Sequence, residues 1–188
     1  KAVFNNVASA FLDFFSFVYV NNKKHYFKYI EVEGEENLRR AYDKGKGVIC
    51  LIPHISSWEL SAVTPPMLGY PTVAASKPIK GFLVQKTMVW FRRRRGMINF
   101  DRDGSYKKLV SSLKEGKCLI LIDQDTSVKS CFVDFFGRKT FTPLGASRLA
   151  LDTDAAIVPM AIKQLDVKKY KFTILPELPT VRTDNREE

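Results

Sequence analysis

Residues 53–59 place a histidine and a glutamate directly after a run of apolar residues. The run, residues 48–52, is rich in β-branched side chains, is preceded by glycines and stops at Pro53, which predicts a buried strand. Ser56 and Ser57 are good helix N-caps, so Glu59 is expected in the first turn of a following helix. His54 and Glu59 would then meet at a strand-to-helix turn, where open α/β sheets bind ligands.

An imidazole beside a carboxylate can work as a general base. Five residues correspond to about 140° around an ideal helix, so His54 and Glu59 meet only if the chain turns between them. The carboxylate would then accept a hydrogen bond from one ring nitrogen and leave the other to take a proton. For a His and a Glu in isolation, the alternative is an ordinary strand-end histidine that hydrogen-bonds a backbone carbonyl.

Two more strand candidates end in polar residues that could belong to the same site. Arg102 follows residues 97–100, and its fork of donors suits a phosphate or a developing oxyanion. The alternative is a surface ion pair of Arg102 with a neighbouring aspartate. Asp123 and Asp125 follow residues 118–122 and favour hydrogen bonding to acceptor hydroxyls. A metal site is not expected, since the chain has only two histidines and no third ligand at metal-site spacing.

The elements that would position these residues alternate along the chain. Alternation of strands with helices predicts an α/β fold with a largely parallel central sheet flanked by helices. Thr142 is expected to cap the last helix with Pro143 at its first position, and Pro65 and Pro66 are expected to interrupt the helix after Glu59. The predicted strands are residues 48–52, 72–75, 97–100, 118–122, 155–162 and 170–175, and the predicted helices are residues 34–44, 81–93, 105–115 and 143–151.

Residues 1–20 form a separate pattern before the predicted catalytic core, residues 46–188. Polar side chains recur at Asn5, Ser9, Asp13 and Ser16 between apolar ones, which predicts an amphipathic helix. With Asp13 at its middle it makes a poor membrane span. The narrow polar stripe suits either packing on the domain or partial burial in a bilayer interface.

Charge and cysteine content narrow the classes further. The 188 residues carry 30 Lys and Arg against 20 Asp and Glu, a formal charge of +10, which suggests an anionic partner. Four consecutive arginines beside two aromatic residues suit an anionic bilayer, an acidic carrier protein or lipid phosphates. The alternative is a solvated helix end. The arginines are Arg92, Arg93, Arg94 and Arg95.

Three cysteines without a C-x-x-C pair favour buried thiols over disulfides. Because the chain starts with Lys1, it is expected to be a fragment, truncated at both ends.

Five motifs in this order resemble those of a known family. The chain resembles the lysophospholipid acyltransferase superfamily and, within it, the bacterial lipid A biosynthesis (lauroyl/myristoyl) acyltransferases, whose H-x4-D/E signature His54 and Glu59 match. Lys77-Pro78, where Arg-Pro is expected, and Pro65-Pro66 depart from the pattern. The motifs are PHISSWE (53–59), INFDR (98–102), IDQD (122–125), FFGRKTFTPLGA (135–146) and IVPMAI (157–162).

The resemblance implies a single acyltransferase domain over residues 1–188 that moves a fatty acyl chain from an acyl thioester to a hydroxyl of a lipid A precursor or related glycolipid. The donor would be acyl carrier protein thioester or acyl-CoA, with no cofactor. His54 would be the base and Glu59 its partner, Arg102 would bind phosphate or the oxyanion, and Asp123 and Asp125 would line the acceptor site. Lys77 and the four arginines would meet the anionic lipid or the carrier.

The same resemblance implies a peripheral protein on the cytoplasmic face of the bacterial inner membrane. Two alternatives remain. One is a sister O-acyltransferase that acts on glycerol phosphate or a glycolipid sugar. The other is a basic nucleic-acid-binding domain, which rests on charge alone; no nucleic-acid partner is expected, because the sequence has no recognised binding motif.

Overall fold

The computed structural model describes residues 2–20, 22–78, 80–122 and 130–180, without the side chains of residues 2–7, 121 and 122. Its main sheet has seven strands in the order β1-β9-β8-β2-β5-β3-β4. The strands are β1 (Ile30–Glu33), β2 (Val48–Ile52), β3 (Thr72–Ser76), β4 (Met97–Asp101), β5 (Cys118–Ile122), β8 (Ala156–Asp166) and β9 (Lys169–Ile174), and a separate pair is β6 (Ser130–Phe135) with β7 (Arg138–Pro143).

The centre of the sheet is parallel, as the alternation of elements predicts. Strands β8, β2, β5, β3 and β4 run in one direction, and β9 with β1 runs antiparallel to them at one side. The prediction of a largely parallel α/β sheet with an N-terminal helix is therefore confirmed. The carboxyl ends of β2, β5, β3 and β4 meet at one edge, where ligands bind in such sheets.

Helices cover both faces of the sheet because its central strands are apolar on both sides. In β2, Cys50 faces one buried cluster and Ile49 the other, and both are fully buried. The second cluster is closed by Leu113 and Leu149. The helices are α1 (Ala2–Phe17), α2 (Lys23–Tyr26), α3 (Glu35–Tyr42), α4 (Trp58–Leu68), α5 (Phe82–Arg94), α6 (Tyr106–Lys114) and α7 (Gly145–Thr153).

Two expectations about helix boundaries are wrong. Pro65 and Pro66 do not interrupt α4, because they fall in its last turn, which is closed by hydrogen bonds from Gly69 and Tyr70 back to the Pro66 and Pro65 carbonyls. Most side chains of the helix are also buried, which stabilises it against the missing N–H groups.

The helix predicted at residues 143–151 begins later than expected. Thr142 and Pro143 end β7 and pair with β6, so neither caps a helix. The N-cap of α7 is Leu144. The pattern Thr-Pro suits a helix start, but pairing of the two strands decides the local structure here.

Helix α1 packs on the sheet with one apolar face and exposes another. Phe14 and Phe17 are buried in the first cluster. Leu12 and Phe15 lie on its outer side and are 68% and 52% exposed, and Tyr19, just after the helix, is 85% exposed. Packing of α1 on the domain is therefore present, and its burial in a bilayer interface stays a prediction.

Arg95 fastens the end of α1 to α5. It is only 3% exposed, and its Nη2 donates to the carbonyls of Phe17 and Val20, the latter at 2.9 Å. Its guanidinium also stacks on the Phe91 ring, 3.7 Å from the centroid. Burial lowers the pKa of Arg95 to about 10, which still keeps it charged at neutral pH.

Replacing Arg95 with alanine should therefore destabilise the protein, since two carbonyls lose a charged donor and the helix end loses its anchor. A loss of about 2–4 kcal/mol in the free energy of unfolding is expected, measured by urea denaturation. The matched control is Arg94→Ala, because Arg94 is exposed and only lies 5.3 Å over the Trp90 ring. Equal effects of the two substitutions would contradict this role of Arg95.

Candidate functional site

The turn that follows β2 carries the predicted histidine. His54 is partly exposed, and its ring lies 5.7 Å from that of Trp58 at an angle of 50°. Ser56 has a φ of 51°, in the left-handed region that a side chain disfavours. The backbone therefore turns between His54 and Glu59.

Glu59 lies in the first turn of α4, as predicted, and Ser57 stands at the N-cap position. The Ser57 side chain does not cap the helix, however; it donates a hydrogen bond to the carboxylate of Asp13 on α1. The expectation that both serines serve as side-chain caps is therefore wrong for Ser57, because a stronger acceptor from α1 competes for its hydroxyl.

Glu59 forms a buried, two-pronged ion pair with Arg92 of α5. Arg92 Nε donates to Oε2 at 3.0 Å, and Nη2 donates to Oε1 at 2.6 Å. The two side chains are only 9% and 10% exposed. Such a fork holds the carboxylate in one orientation, because two parallel hydrogen bonds fix its plane.

The remaining donors of Arg92 reach the carboxyl end of the sheet. Nη1 donates to Ser76 Oγ at 3.1 Å and to Asn99 Oδ1 at 2.8 Å, while Ser76 Oγ donates to the same Asn99 oxygen at 3.1 Å. One guanidinium thus ties together the start of α4, the end of β3 and the middle of β4. A half-buried polar network of this kind makes the site edge rigid.

The four arginines of α5 do not form one surface. Arg92 and Arg95 are 9% and 3% exposed and bind internal groups, so they do not meet a membrane or a carrier as the sequence suggested. Arg93 and Arg94 are exposed, and so is Lys77. The buried pair is the main feature that the sequence interpretation missed. A signal for burial of both arginines is present in the spacing of one helix face, which carries Met88, Phe91, Arg92 and Arg95.

Arg102 lies just beyond β4, at the same edge of the sheet as His54. Its backbone N–H donates to the Ser76 carbonyl at 3.2 Å, and its Nε lies 3.2 Å from the Asp103 carboxylate. The neighbouring ion pair considered as the alternative is therefore present. Strands β2 and β4 are three strand positions apart, so Arg102 lies roughly 14 Å from the end of β2. Asp123 and Asp125 lie outside the described residues.

Cys50 does not offer an activated thiol. Cys50 and Cys118 are fully buried, and a hydrogen bond between them together with burial raises the pKa of Cys50. A thiol whose pKa is raised stays protonated and is a poor nucleophile. Among the described residues, no group of three or more His, Cys, Asp or Glu side chains could hold a metal ion.

Comparison with known proteins identifies the family of the chain. The bacterial lipid A biosynthesis acyltransferase family matches residues 1–188. The chain belongs to this family. It is 28% identical over 162 residues to a lipid A biosynthesis acyltransferase of Haemophilus influenzae, which covers 85% of this chain and 51% of that protein. It is likewise 28% identical over 164 residues to the lipid A biosynthesis palmitoleoyltransferase of Escherichia coli, covering 85% and 53%.

A second group of relatives is named for a different lipid. The chain is 24% identical over 160 residues to a phosphatidylinositol mannoside acyltransferase of Mycolicibacterium smegmatis, covering 82% of this chain and 52% of that protein. The chain spans about half the length of the curated relatives it matches. The resemblance to lipid A acyltransferases inferred from the motifs is confirmed at the level of the family.

Proposed function

We propose that this protein transfers a fatty acyl group from an acyl thioester to a hydroxyl of a lipid A precursor or related glycolipid. The observation that carries this proposal is the turn after β2, where a partly exposed His54 precedes a buried glutamate that Arg92 holds in place. A base at the carboxyl edge of a parallel sheet suits proton removal from a bound hydroxyl.

His54 acts as the general base in this proposal. One ring nitrogen takes the proton of the acceptor hydroxyl while the hydroxyl oxygen attacks the thioester carbonyl. The tetrahedral intermediate then collapses, the C–S bond breaks, and the proton on His54 passes to the leaving thiolate. The products are an ester and a free thiol, with no acyl group on the enzyme.

Glu59 orients the histidine ring and stabilises its charged form. Both of its oxygens bind Arg92, yet a carboxylate has about four lone-pair sites, so two bonds leave room for a ring N–H. Arg92 is a positioning residue in this scheme, because it acts on the base only through Glu59. The dyad of His54 and Glu59 is part of the proposal.

Arg102 is better suited to phosphate than to the oxyanion. The oxyanion forms within a few ångströms of the base, whereas Arg102 stands roughly 14 Å along the sheet edge. A phosphorylated glycolipid or a phosphopantetheine arm is long enough to reach both. Asp123, Asp125 and Lys77 are proposed to complete this acceptor and donor region, and the donor is acyl carrier protein thioester or acyl-CoA.

A peripheral position on the cytoplasmic face of the inner membrane accompanies this chemistry. The helices of the described residues include none long and apolar enough to cross a bilayer. Leu12 and Phe15 are exposed on α1, Tyr19 is exposed just after it, and Arg93 and Arg94 are exposed on α5, which contacts α1 through the rings of Phe91 and Phe14. Exposed apolar and basic side chains suit an anionic bilayer interface, at about 1 kcal/mol for each basic residue near the surface.

The acceptor is tested by competition. The whole protein in liposomes would receive labelled acyl carrier protein thioester together with a lipid A precursor, a phosphatidylinositol mannoside and glycerol phosphate. Ester formation on the lipid A precursor is expected. Preference for the mannoside, suggested by the mycobacterial relatives, would change the acceptor class, and transfer to none of the three would overturn the proposal.

A further inference from the structure

Asp13 links the N-terminal helix to the turn that carries His54. Its carboxylate accepts the hydrogen bond from Ser57 Oγ. Ser57 is only 2% exposed and lies between His54 and Glu59 in the chain. A contact at this point fixes the middle of the turn from outside it.

A second contact joins the same two elements. The ring of Phe11, less than one helical turn before Asp13, meets the ring of Trp58 edge-on at 6.5 Å. Trp58 in turn lies against His54, with ring centroids 5.7 Å apart. Helix α1 therefore contacts two successive residues where the turn meets α4, Ser57 through a carboxylate and Trp58 through an aromatic ring.

The surroundings hold Asp13 in place as a hydrogen-bond acceptor. Tyr170 of β9 is only 1% exposed; burial raises the pKa of its phenol, and the nearby Asp13 carboxylate raises it further. The phenol therefore stays protonated beside the carboxylate. Arg95 anchors the end of the same helix through the Phe17 and Val20 carbonyls.

The turn needs such support because its backbone is strained. Ser56 occupies the left-handed region with a φ of 51°, which costs of order 1–3 kcal/mol and persists only where the surroundings enforce it. The hydrogen bond from Ser57 to Asp13 immediately follows this strained residue. Without it, the turn is free to relax and to change the position of His54.

We propose that Asp13 is a positioning residue for acyl transfer, which holds Ser57 so that the turn presents His54 to the acceptor hydroxyl. This inference rests on the proposed function. It also gives α1 a role beyond packing, because the helix that exposes an apolar face toward the surroundings is the one that sets the geometry of the base.

The test compares Asp13→Ala, Asp13→Asn and Ser57→Ala in the whole protein, with Ser16→Ala as the matched control. Ser16 lies on the same helix and donates only within it, to the Leu12 carbonyl. Asp13→Ala and Ser57→Ala are each expected to lower kcat by about 10- to 100-fold with KM for the donor little changed, since a small misplacement of a base has this size of effect.

Two further results separate positioning from simple stabilisation. Asp13→Asn keeps an oxygen that accepts from Ser57, so it should restore much of kcat. The double variant Asp13→Ala/Ser57→Ala should lose no more than either single one, because both remove the same hydrogen bond. Additive losses, or full kcat per folded molecule in Asp13→Ala and Ser57→Ala, would overturn the role of Asp13.

His54→Ala in the same assay distinguishes failure of the proposed base, His54, from failure of the proposed positioning residue, Asp13. If His54→Ala is inactive and both Asp13→Ala and Ser57→Ala are fully active, only the positioning role fails. If His54→Ala transfers acyl groups normally, the proposed base fails and the positioning role with it. If Asp13→Ala does not fold, Ser57→Ala and Asp13→Asn decide the matter alone.

Discussion

Replacing His54 with alanine is expected to slow acyl transfer by about 10²- to 10⁴-fold, the usual contribution of a general base. The loss should appear in kcat, because the methyl group of alanine removes the proton acceptor and leaves the surfaces that bind donor and acceptor largely intact. Steady-state transfer from a labelled acyl thioester by the whole protein measures it.

His25 provides the matched control for this substitution. It is the other histidine of the chain, lies exposed on α2, and its Nε2 is 3.2 Å from the Tyr29 hydroxyl. His25→Ala should transfer acyl groups at nearly the wild-type rate. Similar losses in both variants would mean that the effect of His54→Ala does not come from the proposed chemistry.

Replacing Arg92 with alanine is expected to destabilise the protein by about 3–5 kcal/mol, because it leaves the Glu59 carboxylate buried without its partner. The same change should lower kcat, since the orientation of Glu59 is lost. Urea denaturation of the whole protein gives the first quantity and the transfer assay gives the second.

Two variants sharpen this prediction. Arg93→Ala, at the next position on α5 but exposed, should change the free energy of unfolding by less than about 0.5 kcal/mol. The pair Arg92→Met and Glu59→Leu should destabilise the protein less than the sum of its single substitutions, because the double change leaves no unpaired charge. A loss below about 1 kcal/mol for Arg92→Ala would show that the ion pair does not hold this edge of the sheet.

The sequence predicts the central strands of the sheet well, since each is a short apolar run that ends at a polar residue, whereas the edge strand β1 was not predicted. Residues 48–52 and 118–122 coincide with β2 and β5. The hairpin of β6 and β7 was not predicted, because its exposed phenylalanines do not alternate with polar residues in a way that marks a half-buried strand. Because β7 was not recognised as a strand, Thr142 and Pro143 looked like the start of a helix.

The position of Glu59 was predicted, but its pairing was not. Glu59 falls in the first turn of α4, as its distance from the strand end requires. Its ion pair with Arg92 joins residues 33 positions apart, and nothing in local spacing signals a partner at that distance. A run of four arginines suggests a charged surface, whereas helical periodicity divides the run into two buried and two exposed side chains.

The N-terminal helix shows the same limit. Its polar stripe was read from Asn5, Ser9, Asp13 and Ser16, which predicts a face but not a contact. In the folded chain Asp13 stands apart from Ser9 and Ser16, because it binds Ser57 while the two serines remain exposed. Only the tertiary arrangement distinguishes the residue that reaches the turn.

Direct acyl transfer assisted by His54 can be tested by following the lipid and the protein in one reaction. The whole protein would be mixed with an isotopically labelled acyl thioester and the glycolipid acceptor, quenched at short times, and analysed by mass spectrometry. We expect one ester on the glycolipid for each thiol released and no acyl group on the protein. With His54→Ala, we expect neither the ester nor the thiol. An acylated protein that forms before the ester, or undiminished transfer by His54→Ala, would contradict this mechanism.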